Sequence, residues 1–189
     1  MTQTPNFQLN QWSPEDYVRR TDFNADNTKV DRALSRNKIE KLTEVVTTEA
    51  TPEITVVLPG DDWSEYLELK VVFQMRNSGN SIYVRLNDLD TQTYYSLTSN
   101  SNTSSKATHL LQLPPAGGGI SGEGCLMPFG MEGTVCAQFQ TVAVSGADFW
   151  EWPAYGLAPI EFAALEKIKF VTEGTFRAGS QVAVYGVLR

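Results

Sequence analysis

From residue 54 onward apolar and polar residues change places every second position, in one short run after another. Tyr66 to Met75 sets Leu67, Leu69, Val71 and Phe73 against Tyr66, Glu68, Lys70 and Val72, the period of a strand with one buried face. After the turn residues 77–80, Ser81 to Leu86 returns with Ile82, Val84 and Leu86 on one side and Tyr83 and Arg85 on the other, which predicts a hairpin. Further strands are expected at Ile54–Leu58, Thr93–Leu97, Ala107–Leu113 and Gly133–Val144. Glu166–Thr172 and Gln181–Leu188, joined by 174–180, read as a terminal hairpin. Short strands at even spacing predict a mainly β chain, an antiparallel jelly-roll-like β-sandwich preceded by an N-terminal α-helical arm.

The helical signal lies in Trp12 to Leu42. Ser13 suits an N-cap, Pro14 the first helical position, and Glu15 and Asp16 the positive end of the helix dipole. A second start at Thr21 or Asp22 opens a run with Phe23, Val30 and Asn37 seven apart and Asn27 and Leu34 between them. This heptad-like stripe is too polar to bury itself alone; it fits either register-fixing contacts between identical helices or a half-solvated helix on its own domain. The expected organisation is an extended arm over 1–12, whose Phe7, Leu9 and Trp12 would be tied down, and a helical anchoring or oligomerisation segment over 13–46. A linker over 47–53 and a sandwich over 54–189 would follow.

With 22 acidic against 15 basic residues the net charge is −7, and no cluster of Lys or Arg offers a phosphate-tracking face, so nucleic acid is not an expected partner. Residues 1–11 lack a basic start followed by an apolar run, and no stretch has the length of a membrane span; the expectation is synthesis in the cytoplasm without a secretory signal. Cys125 and Cys136 read as small buried hydrophobes, and spacing does not say whether they pair. With one histidine and two cysteines a zinc set cannot be assembled, and neither a metal nor a cofactor is expected.

Nothing in the motifs asks for catalysis. His109 has no neighbour in sequence to orient it as a base. The acidic residues Asp61, Asp62 and Glu65, and Asp88 with Asp90, suit turns better than a glycosidase pair or a calcium loop. Pro114 to Gly124 is glycine-rich, yet no Lys and no helix follows, so it reads as a long turn. Phe149 to Tyr155 packs four aromatics beside Pro153 in what reads as a loop. Trp150, Trp152 and Tyr155 with the carboxylate of Glu151 make a candidate glycan site or a subunit interface, or else the tryptophans close the edge of the core.

The runs W-S-P-E-D at 12–16, D-F-N-A-D-N at 22–27 and V-D-R-A-L at 30–34 resemble the N-terminal segment of tailed-phage and prophage structural proteins, and F-R-A-G-S-Q-V-A-V-Y-G-V-L-R at 176–189 resembles the closing strand of their sugar-module-like sandwich. The resemblance implies a virion protein, a homotrimeric tail-fibre or baseplate appendage. Its N-terminal segment would dock on another virion protein and its sandwich would face outward, toward a host surface glycan. A head fibre, a capsid decoration protein or a stand-alone carbohydrate-binding module are the alternatives.

Overall fold

The computed structural model describes residues 2–5, 8–17, 19–35, 39–60, 62–98, 105–115, 117–129, 133–145 and 148–189. Phe7, Asn37, Asp61 and the 99–104 stretch of the polar loop lie outside them. The chain is mainly β. A two-stranded ribbon of β1 (Thr2–Gln3) and β2 (Asn10–Gln11) precedes helix α1 (Arg20–Ser35), and twelve strands follow. These are β3 (Ile39–Val46), β4 (Thr51–Val57), β5 (Tyr66–Met75), β6 (Ile82–Leu86), β7 (Tyr94–Thr98), β8 (Ser105–Ala107) and β9 (Leu111–Leu113), then β10 (Gly119–Pro128), β11 (Val135–Ser145), β12 (Asp148–Ala158), β13 (Lys167–Phe176) and β14 (Gln181–Leu188).

They form an eight-stranded sheet, β3-β14-β5-β10-β11-β12-β7-β8, and a four-stranded sheet, β4-β13-β6-β9, with antiparallel pairing throughout. The inward faces share one core: Leu69, Val71, Phe73 and Phe139 from the large sheet meet Ile54, Val84, Ile168 and Phe170 from the small one, and the rings of Phe73 and Phe170 lie 5.7 Å apart. The result is a sandwich-like double layer. Within it the chain changes layer at most of its turns, with β3, β5, β10 and β14 in one sheet and β4, β6, β9 and β13 in the other, while β7–β8 and β10–β11–β12 stay within the large sheet.

That alternation overturns both predicted hairpins. β5 and β6 flank a turn at 77–80, and β13 and β14 one at 177–180, but in each case the two strands belong to different sheets. The two arches are instead joined to each other. Asn77 bridges to Phe176, the Arg177 N–H donates to the Arg76 carbonyl at 2.7 Å, and buried Ser180 accepts the Arg76 N–H at its hydroxyl.

Helix α1 is shorter than the sequence suggests. Ser13 and Asp16 do exchange hydrogen bonds, the Ser13 N–H reaching Asp16 Oδ2 at 2.8 Å and the Asp16 N–H the Ser13 carbonyl at 3.0 Å, but they close a single turn. No apolar stripe follows to be buried, and one capped turn does not propagate by itself. At the other end, residues 39–46 are strand rather than helix. They pair with β14, with a bulge at Leu42 that lets both Leu42 and Val45 turn toward the core. Residues 51–53, expected in a linker, already belong to β4.

Two further expectations change. Ala107–Leu113 is not one strand: β8 and β9 belong to different sheets, parted by a bend at 108–110. The glycine-rich stretch continues from its turn into β10, at the centre of the large sheet. There Gly124 lies against the ring of Phe139 and Gly122 against Thr141 and Phe73, positions where a side chain would collide with the core.

Candidate functional site

The aromatic run at 149–155 lies in β12, a strand, and alternation divides it between two faces. Trp150 and Trp152 pair with inward-facing Ala143 and Thr141, pack on the core, and the Trp152 indole N–H donates to the Gln112 carbonyl at 3.3 Å. Glu151 and Tyr155 pair with outward-facing Val142 and Gln138. The four residues therefore do not share one surface. Pro153 stands opposite Gln140 in the β11–β12 ladder, while β7 pairs only with residues 154–157 and asks no N–H of it on that side.

Among the described residues, the outward face of the large sheet carries a groove of about 780 Å³. Register builds it in rows. Glu44, Ala183, Val72, Glu123, Gln140 and Pro153 stand side by side across six strands. Beside them run Gln181, Gln74, Ser121, Val142 and Glu151. All of these line the groove, and Tyr185 closes one end. Tyr155, on the same face, is one row further along. Two carboxylates are held in place: Lys41 Nζ lies 2.6 Å from Glu44 Oε2, and Lys70 Nζ lies 2.8 Å from Glu123 Oε2. The Lys70 pKa is raised by that hydrogen bond to Glu123.

Sequence reasoning touched this groove only through Glu151 and Trp152 and missed the rest, because its residues come from six strands, each contributing one or two ordinary positions. The only signal available was the outward half of each alternating run. Cys125 and Cys136 also point outward, as free thiols on adjacent strands. They stand diagonally across the ladder, where side chains are separated by about 7–8 Å, which is outside disulfide reach.

The other candidates have structural partners. His109 rests its ring on Tyr83 at 4.8 Å, and burial, with the Arg85 charge, lowers its pKa. Asp88 bridges Lys167 at 2.6 Å and Lys169 at 2.8 Å, which lowers its pKa in turn. Asp62 accepts the Ser64 N–H at 2.8 Å in a local turn. Among the described residues no group of His, Cys, Asp and Glu stands close enough to hold a metal ion, and no helix is long and apolar enough to cross a membrane.

At the N-terminus a second surface is built on α1. Phe23, Asn27, Val30 and Leu34, spaced four, three and four, fall on one face of the helix. All four are exposed, Phe23 to 56% and Leu34 to 75%. The lead-in arm is tied to this helix rather than to the sandwich, with the Asn10 N–H donating to Asp26 Oδ2 at 2.9 Å and Lys29 Nζ to the Gln8 carbonyl at 2.5 Å. Leu9 is half-buried and Trp12 half-buried, while Tyr17 is exposed to 86%. Among the described residues α1 makes no extensive contact with either sheet.

Comparison with known proteins finds no matching family model, curated protein or solved structure.

Proposed function

We propose that this chain is a virion structural protein of a tailed phage, a homotrimeric appendage whose N-terminal segment joins it to its copies and to another virion protein and whose sandwich is displayed toward host surface glycans. The observation that carries this reading is the seam of Phe23, Asn27, Val30 and Leu34, exposed on a helix that, among the described residues, makes no extensive contact with the sandwich and adds nothing to its core. Apolar residues at heptad spacing are retained in the open when another helix covers them, and a seam asparagine sets register. The resemblance of residues 12–34 to the anchoring segments of phage structural proteins bears on the same stretch.

The strand order supports a jelly roll for the displayed domain. Four strands of the large sheet, β3-β14-β5-β10, face β4-β13-β6-β9, and the chain passes between them in the order of two interlocked Greek keys. β11, β12, β7 and β8 then extend the large sheet on one side. Jelly rolls recur in capsid and lectin domains, which suits a displayed binding module, although fold alone does not assign it.

The test is the solution mass of the full chain by light scattering, beside a variant carrying Phe23→Glu and Leu34→Glu. A trimer that becomes a monomer in the variant, with unchanged strand signal by circular dichroism, is the expected result. A wild-type chain that stays monomeric across all concentrations would remove the self-association on which the appendage rests.

A further inference from the structure

We infer that the groove across the outward face of the large sheet is a binding site for an uncharged, hydroxyl-rich oligosaccharide lying across the strands. This rests on the display half of the function proposed above and does not depend on the helical seam.

The chemistry of the groove carries the inference. Along its first row a carboxylate, two small apolar groups, a second carboxylate, a carboxamide and a proline ring follow one another from Glu44 to Pro153. The second row adds Gln181, Gln74, the Ser121 hydroxyl, Val142 and Glu151. Carboxylates and carboxamides present paired hydrogen-bonding atoms suited to neighbouring hydroxyls. Val72 and Val142, exposed between them, offer apolar patches to the C–H faces of a sugar ring. A small-molecule site combines such apolar floor with a few fixed polar groups, and volumes of about 300–1,000 Å³ are usual for one.

Length and orientation agree. At about 4.8 Å between strands, Glu44 and Pro153 stand about 24 Å apart along the row, the scale of a short linear glycan. Lysines engage Glu44 and Glu123 at one oxygen each, so the acceptors are oriented before a ligand arrives.

Other occupants fit less well. Of the three carboxylates across the groove Glu44 and Glu123 are ion-paired to lysines, and Glu151 leaves the lining with a net negative charge, which disfavours a sialylated or phosphate-bearing ligand. A protein partner would have to bury them, and interface cores are depleted of Glu. In a contact between copies of this chain like charges would be brought together.

The experiment is a glycan array probed with the full chain, followed by titration calorimetry on the best ligand. The array presents neutral oligosaccharides of glucose, galactose, mannose, rhamnose and N-acetylglucosamine beside sialylated and phosphorylated ones. Binding to a neutral glycan is expected, weakened about tenfold by Gln140→Ala and by Glu151→Ala, as loss of a hydrogen bond to a buried ligand implies. Val57→Ala, on the outward face of the small sheet, should leave it unchanged, with melting curves confirming that each variant folds. Binding to none of the neutral glycans, binding confined to the charged ones, or binding that survives both groove substitutions overturns the inference. Because the array reads the sandwich and light scattering reads the helix, glycan binding by a monomer would refute the appendage and spare the groove.

Discussion

Tyr94 illustrates how single polar atoms organise the core. Its side chain has no exposure, and its hydroxyl lies 3.0 Å from the Leu86 carbonyl and 3.1 Å from that of Leu89 while accepting the Leu86 N–H at 3.0 Å. Tyr94→Phe removes the acceptor of the Leu86 N–H and the hydroxyl beside the two carbonyls, of which that of Leu86 keeps the Leu89 N–H at 3.3 Å, and should cost about 1–3 kcal/mol in chemical denaturation. Tyr66 acts over a longer separation. Gly186 leaves room for its ring, and its hydroxyl donates to Glu40 Oε1 at 2.6 Å, joining β5 to β3 across β14. That hydrogen bond, with burial second, pushes the phenol from 10.0 up to about 12. The phenol donates only while protonated, so the folded chain holds its proton more tightly than the unfolded one. Its contribution is complete below pH 10.0 and disappears as the pH rises through about 12. The stability gap between wild type and Tyr66→Phe should close over that interval. Burial likewise pushes the Cys125 thiol up to about 11, so thiol-disulfide reagents should modify it slowly at neutral pH and faster as that value is approached.

Elements show which parts of the fold a sequence discloses. β5 and β14 were legible residue for residue, because strict alternation and flanking turns marked both ends. β3 was not. Its bulge places core-facing Leu42 and Val45 three apart, a helical spacing, and strand pairing with β14 lies far beyond any local window. The arches at 77–80 and 177–180 were visible as turns, but whether a turn returns a strand to its neighbour or sends it to the opposite layer depends on contacts between residues about a hundred positions apart, such as Ser78 with Thr175. Of the candidate site, the outward positions of each strand were readable, but their convergence in one groove was not. Helix α1, polar and without extensive contact to either sheet among the described residues, should be marginal as a single chain. Hydrogen exchange should find its amides poorly protected in dilute monomer, well below those of β5 and β11, and protected once the seam is covered.

For the molecule as a whole, the working boundary falls between α1 and β3 rather than after residue 46. A chain starting at Ile39 keeps the whole large sheet and should melt within a few degrees of the full chain. One starting at Thr47 exposes the flank of β14 and the apolar cover given by Leu42 and Val45, and should lose about 2–4 kcal/mol. Thermal melts of the two truncations measure the difference directly. The same pairing has a consequence for how the protein is made. β14, the most C-terminal of the strands described, lies between β3 and β5, which come before most of the sandwich in sequence. Until β14 has been made that slot cannot close, and the strands made before it must carry their apolar faces open. Folding then waits on contacts distant in sequence, the arrangement that makes β-rich domains slow, on the order of milliseconds to seconds.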